Sequence, residues 1–281
     1  MTPGKVRVRP ARVDDHQPIS AFTQQTFSWG DYVAESFLGW LDRSDSATLV
    51  AVDEDDHPLA VARVDLVSQE EAWLAAARVH PDHRRQGIGI LLNDAGVEWA
   101  CTNGAVVARL LVDEENEAPH GQVAKLGYRE AARVLHAHRE LPEGPSEKTK
   151  LPRVQSSEAV SAYATWSASG LERAAHRLAC RGWAWSQFGL SRLEKAAAAG
   201  ELFNAGDGWV VADLKEEGAA VWWVACYPES APVLIKDVIG WTAGRAHRLA
   251  VHTPNVEWLR QPLQTAGFQV VPAIVYEKPT G

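Results

Sequence analysis

The sequence predicts a mixed α/β (α+β) protein of 281 residues whose two halves repeat one order of elements. Three observations carry this. An apolar strand-like run, Trp73 to Val79, ends at Pro81 and leads to helical apolar spacing at Ile88, Leu91, Leu92, Ala95 and Trp99. A second run, Ala219 to Tyr227, ends at Pro228 and leads to a helix from about Ala231 to Thr242. Between them Glu143 to Lys150 is polar, contains Gly and Pro, and has no large apolar residue, the pattern of a linker. The expected division is 1–142, a linker 143–150, and 151–281.

In the first half Asp14 or Asp15 is expected to cap a helix with Ile19, Phe22 and Phe27 as its apolar positions. A second helix runs through Asp31, Tyr32, Val33, Phe37 and Trp40, and a strand spans about Ala105 to Val112. In the second half, helical patterns cover Ser157 to Ser167 and Gly170 to Arg181. A hairpin turns at Ala205-Gly206-Asp207-Gly208, with Trp209 to Leu214 as its return strand. A strand near Leu249-Ala250-Val251, a short helix from Val256, and Gly267-Phe268 before a last strand to Tyr276 complete the order. Gly267-Phe268 answers Gly127-Tyr128, and Asn255 loosely answers Asn116.

The chemistry begins at Arg84-Arg85-Gln86-Gly87-Ile88-Gly89. A strand, a basic Gly-containing loop and a helix start make an anion site, because first-turn N–H groups have no intrahelical partner and the helix dipole favours negative charge there. Gly87 and Gly89 carry no Cβ, so a ligand oxygen can approach the backbone. Arg84 and Arg85 add charge-assisted hydrogen bonds. The expected ligand is a phosphate or pyrophosphate. A P-loop is absent, and the three glycines of a dinucleotide fingerprint are not there.

Arg84, Gly87 and Gly89, after a V-x-P strand end, resemble the coenzyme A pyrophosphate loop of the GNAT superfamily of N-acyltransferases. Val8-Arg9-Pro10-Ala11-Arg12-Val13-Asp14-Asp15 is similar to that family's first strand and turn. Asn116 stands eleven residues before Gly127-Tyr128, the family's spacing. Trp73-Leu74, then Arg78-Val79-x-Pro81, and the helix from Asp31 to Trp40 resemble a tandem subgroup that includes the animal histidine N-acetyltransferases. The resemblance covers residues 5 to about 140 well and the rest in outline. It implies two tandem GNAT-like domains, each a twisted, mixed, mostly antiparallel sheet flanked by helices. The first would be the acetyl-CoA-binding catalytic domain. The second has Glu229-Ser230-Ala231-Pro232 after Pro228, acidic and without glycine, and is expected to bind no coenzyme A.

Composition bounds the rest. Apolar residues make up 46 %, enough for a sizeable core, and no long uncharged apolar run suggests a membrane span. The N-terminus shows no signal-peptide core. Cys101, Cys180 and Cys226 are far apart and fit a reducing cytoplasm rather than a disulfide framework or metal set. The net charge of −8 disfavours nucleic acid. His83, Arg84, Arg85 and Lys125 would make the coenzyme site locally basic. The expected partner is a small-molecule amine, with no nucleic acid, membrane or metal, in a monomer or homodimer.

The resemblance implies acyl transfer from acetyl-CoA to an amine. Pantetheine would pair with backbone at Ala77, Arg78 and Val79, where an N–H faces the developing oxyanion. Arg84, Arg85, Gln86, Gly87, Ile88 and Gly89 would hold the pyrophosphate, and Asn116 the pantetheine arm. The subgroup's strand glutamate is replaced by Ala75, Ala76 and Ala77, and the family's acid tyrosine by Val123. Candidates for the base are His120, Glu35 and Asp65, with a water relay equally open; His has the best unperturbed pKa for the task. The alternative is a non-catalytic acyl-CoA-binding or interaction protein. His136-Ala137-His138 is expected on an exposed strand face. Trp183, Trp185, Trp222, Trp223 and Trp258 are expected to be buried.

Overall fold

A computed structural model describes residues 6–24, 31–142, 149–215 and 218–281. Its first elements are β1 (Arg7–Pro10), α1 (His16–Thr23), α2 (Val33–Leu41), β2 (Ser46–Val52), β3 (Pro58–Leu66), β4 (Glu71–Val79), α3 (Ile88–Thr102), β5 (Val107–Asp113), α4 (Glu117–Lys125) and β6 (Arg129–Glu140). Next come α5 (Ala159–Ala168), α6 (Leu171–Ala174), β7 (Leu178–Arg181), β8 (Ala184–Gln187), α7 (Leu190–Ala198), β9 (Leu202–Ala205), β10 (Gly208–Lys215) and β11 (Gly218–Ala225). The chain closes with α8 (Ala231–Thr242), β12 (Arg248–Pro254), α9 (Glu257–Thr265) and β13 (Gln269–Pro279). Phe27 and most of the expected linker lie outside the described residues.

Two compact units interleave along the chain. The first holds Met1–Leu110, Val123–Arg129 and Glu277–Gly281; the second holds Leu111–Gln122 and Glu130–Tyr276. They do not follow the sequential division 1–142 and 151–281. The C-terminal residues are held there by strand pairing and by charge. Arg109 is 3 % exposed and lies between two carboxylates, Glu71 and Glu277, the latter 3.0 Å away. A buried guanidinium needs compensating charge and hydrogen bonds. Lys278 Nζ then donates to the Leu126 carbonyl at 3.0 Å, and the Thr280 N–H to the Val106 carbonyl at 3.1 Å.

The first unit is built on strands in the order β1-β2-β3-β4-β5, antiparallel except for β4 and β5. Strand β2 reads Leu49-Val50-Ala51-Val52 and is buried on both faces. Its side chains alternate. Val50 and Val52 meet Ile19, Phe22, Val33, Phe37 and Trp40 of α1 and α2. Leu49 and Ala51 meet Ile88 and Leu92 of α3. The apolar spacing of α1 and α2 is therefore core spacing; on α3 Ile88 and Leu92 face the core, while Leu91, expected with them, is 43 % exposed. Each fully buried large side chain contributes roughly 2 kcal/mol by transfer. Asp15 does not cap α1 through its side chain. It accepts the Arg12 N–H at 2.7 Å and pairs with buried Arg9 at 2.7 Å.

The second unit orders its strands β13-β6-β12-β11-β10-β9, with β11 and β12 parallel. Leu234, Ile235 and Val238 of α8 and Leu259 and Leu263 of α9 meet Val221, Val224 and Val251 around a small apolar cavity. Trp166, Phe188 and Trp223 form a second aromatic cluster, centroids 5.7–5.9 Å apart. The helix expected over Gly170 to Arg181 stops at Ala174. His176 and Arg177 take positive φ, and Leu178–Arg181 becomes β7, paired with β8 through Gly182 and Trp183, both also at positive φ. Burial of Leu178, Ala179 and Cys180 in that hairpin overrides their helical propensity. Trp183, at the tip, is 58 % exposed rather than buried. Helix α7 is an element that the sequence reading did not identify.

Candidate functional site

Strand β4 sets the site. Its parallel pairing with β5 runs from Glu71↔Val107 to Trp73↔Arg109 and stops there, so Leu74 to Val79 lose their β5 partner. On its other edge the β3 register shifts between Val61↔Arg78 and Arg63↔Ala75. This β-bulge contains Ala76 with φ 56°, a left-handed conformation that a non-glycine residue seldom adopts. A bulge takes backbone groups out of the ladder and re-aims them. Here that falls at Ala76 and Ala77, on the stretch freed from β5.

Beyond the strand, the His80 N–H donates to the Leu59 carbonyl at 2.8 Å, and Pro81–His83 form a 3₁₀ turn. Arg84 is extended, Arg85 has φ 62°, and Gly87 has φ 84° before α3 begins at Ile88. Arg84 Nε donates to the Val79 carbonyl and Gln86 Nε2 to the Asp82 carbonyl, each at 3.3 Å, which braces the loop. Among the described residues, the N–H groups of Arg85, Gln86, Gly87, Ile88 and Gly89 donate to no backbone carbonyl. A Cβ at Gly87 would meet no protein atom within 4 Å. Glycine is required there for its left-handed backbone, and it leaves the loop open. Successive N–H groups around left-handed positions, at a helix start, make a concave anion cradle. The exposed guanidinium groups of Arg84 and Arg85 lie on the same loop.

The other expected residues divide between the units. Arg78 turns its guanidinium to Asp31, Nε to Oδ2 2.6 Å, whose side chain is wholly buried, and its Nη1 reaches the Ala77 carbonyl at 3.1 Å. Its side chain is therefore structural, and its expected contribution reduces to backbone. Glu35 is exposed in the first turn of α2, in the same unit as the loop. Asp65 pairs with Arg63, and burial raises its pKa above the usual carboxylate value against that pairing. Lys125 ends α4, and Val123 is buried at 5 %, so no proton donor occupies the place of the family's tyrosine. Asn116 and His120 fall in the second unit. Asn116 is exposed, and its N–H donates to the Asp113 carbonyl at 2.9 Å in a turn. His120 Nε2 lies 3.2 Å from the Glu114 carbonyl, which can only accept, so Nδ1 is left to accept from the Tyr276 hydroxyl at 2.9 Å. Its lone pair is occupied in this arrangement.

His136 is not on an exposed face. It is 5 % exposed and pairs across strands with His252, Nδ1 to Nδ1 2.6 Å. Burial lowers both pKa values, to about 4 for His136 and about 3 for His252. One exposed trio, Asp53, Asp55 and His57, lies in the β2–β3 turn, where Asp53 Oδ1 accepts the Asp55 and His57 N–H groups. It is a turn device. No helix is long and apolar enough to cross a membrane among the described residues.

Residues 16–128 match the family model described as the acetyltransferase (GNAT) family. A GCN5-related N-acetyltransferase from Sphaerobacter thermophilus aligns over 100 % of this chain and 97 % of its own, at 16 % identity and TM-score 0.68. A putative acetyltransferase from Thermoplasma acidophilum aligns over 97 % and 99 %, at 14 % identity and TM-score 0.61. A tandem GNAT protein from the clavulanic acid biosynthesis pathway aligns over 99 % of both chains, at 13 % identity and TM-score 0.58. No curated protein matches, and the nearer resemblance to the animal histidine N-acetyltransferases finds no support. At these identities the solved structures establish fold. Residues 16–128 are thus similar to the acetyltransferase (GNAT) family, and the chain shares its fold with a tandem GNAT protein.

Proposed function

We propose that the first unit transfers an acetyl group from acetyl-CoA to a primary amine of a small molecule, amino acids included. The observation that supports this most directly is the Arg84–Gly89 loop: five N–H groups without backbone acceptors around two left-handed residues, beside two exposed guanidinium groups. That donor set fits a pyrophosphate. Acetyl-CoA would supply the activated thioester. Arg84, Arg85 and the loop N–H groups would hold its phosphates, and a bulge N–H near Ala76 and Ala77 would meet the developing oxyanion.

With Val123 buried in place of a tyrosine, no side chain there protonates the departing thiolate. A thiol with a pKa near 8.5 leaves without that help. Holding the reactants in line then supplies much of the rate. Proton removal from the amine falls to Glu35 or to water relayed by it, since the His120 lone pair is engaged by Tyr276. Asn116 retains the expected role on the pantetheine arm as a proposal. The test is release of free coenzyme thiol with a panel of primary amines. Turnover with at least one small amine is expected. Silence across the panel, with acetyl-CoA still bound, would replace the enzyme with a non-catalytic acyl-CoA-binding protein.

A further inference from the structure

A different pocket, of about 130 Å³, is lined wholly by residues of the second unit, beside the aromatic cluster of Phe188. Arg192 and Lys195, one turn apart on α7, line it with Arg181, Glu201, Phe188 and Trp222. Three cations against one carboxylate make a basic site on a chain of net charge −8. Arg181 is committed: it pairs with Glu201 at 2.9 Å and lies 5.0 Å from the Trp222 ring centroid. Arg192 is braced by Ser186 Oγ at 2.7 Å. Lys195 has no carboxylate within ion-pair distance among the described residues.

Two polar atoms of this lining lack partners. Trp222 is 5 % exposed, and its Nε1 is buried with no hydrogen-bond acceptor. Glu201 Oε2 is buried with no donor. Trp222 is also the extra residue where the β10–β11 register shifts, from Val211↔Trp223 to Ala212↔Val221. The bulge thus holds its indole out of the regular ladder. A buried donor or acceptor left unmade costs its full desolvation penalty. The lining therefore lacks an acceptor for an indole N–H, a donor for a carboxylate oxygen, and a counter-charge for Lys195, beside an aromatic surface at Phe188.

We propose that this pocket binds a free α-amino acid with a modest apolar side chain. Its carboxylate answers Lys195 and the Trp222 N–H, its ammonium answers Glu201 Oε2, and its side chain lies on Phe188. A simple anion satisfies the first pair and leaves Glu201 orphaned; a simple amine does the reverse. The inference does not rest on acyl transfer, because every residue named belongs to the second unit.

The test is calorimetric titration of the full chain, without coenzyme, with L-leucine, 4-methylpentanoate and L-leucinamide. Leucine is expected to fill one site per chain, with each analogue at least tenfold weaker. Lys195→Ala, at an exposed position, should weaken leucine at least fivefold and leave the melting temperature unchanged. Trp222→Phe keeps the ring, removes the N–H and should weaken leucine severalfold. Gly89→Glu in the first unit should leave leucine binding intact, which separates this site from an acceptor site there. No binding of leucine, or binding indifferent to Lys195→Ala, overturns the proposal. Equal binding of 4-methylpentanoate overturns the amino-acid assignment in favour of a plain carboxylate pocket.

Discussion

The two units make the same turn after the same strand, and one makes a cradle of it while the other does not. Strands β4 and β11 each pair with a parallel neighbour over a short register and then part from it. Each carries a bulge near the parting point. Each leads through a 3₁₀ turn begun by proline, Pro81 or Pro228. In the first unit Arg84 to Gly87 intervene before the helix, with two left-handed residues that leave N–H groups open. In the second, Ser230 leads straight into α8; Ser230 is 7 % exposed and Ala231 fully buried, with Glu229 beside them. The first bulge holds alanines, the second Trp222. One unit spends its strand parting on access, the other on burial. After β11 the turn is closed and the bulge filled, where after β4 both are left open.

Making the first loop like the second carries the largest expected effect. Gly89→Glu places an acid at the helix start, where like charge and bulk oppose a pyrophosphate. Acetyl-CoA affinity is expected to fall at least a hundredfold by calorimetry, about 3 kcal/mol, with folding unaffected. Survival of binding would show that the loop is not the phosphate site.

Next is the buried chemistry of the second unit, read by pH. His136 and His252 are held neutral by burial, His136 at a pKa of about 4 against an ordinary 6.5. Above 6.5 the pair is neutral in folded and unfolded chains alike, and its stability contribution is fully present. As pH falls from about 6.5 towards 4 the unfolded chain binds protons that the folded pair refuses, so stability drops. The loss is on the order of 3 kcal/mol for His136 alone. Urea unfolding from pH 7.5 to 4 should show a steeper fall than in the His136→Leu/His252→Leu double variant. Parallel curves would mean that the pair titrates normally.

Smaller effects sharpen the loop itself. Arg84→Ala removes one charge-assisted hydrogen bond and the brace to Val79; about tenfold weaker acetyl-CoA is expected, in a salt-dependent way. Gly87→Ala keeps the open space but strains φ 84°, at roughly 1 kcal/mol. It should lower the first unit's melting temperature slightly and coenzyme affinity about fivefold. If Gly87→Ala proved neutral, the left-handed turn would not be what holds the cradle open.

Local pattern determined a good deal. The loop from Arg84 to Gly89, the helices at Ile88 and Ala231, the hairpin at Gly206 and the closed turn after Pro228 follow from period, glycine placement and proline, which act over a few residues. The apolar spacing of α1 and α2 likewise marks their core faces, because a helix must bury one stripe; on α3 it marks Ile88 and Leu92 but not Leu91. Tertiary structure decided what depends on partners distant in the chain. It made Arg78 an anchor for Asp31 rather than a ligand group, and engaged His120 through Tyr276. It buried His136 against His252, turned Leu178–Arg181 from helix to strand, and brought Glu277 back to Arg109 in the first unit. Each of these is settled by burial and charge compensation, energies that exist only once remote residues have met. No period or spacing in a linear chain encodes them.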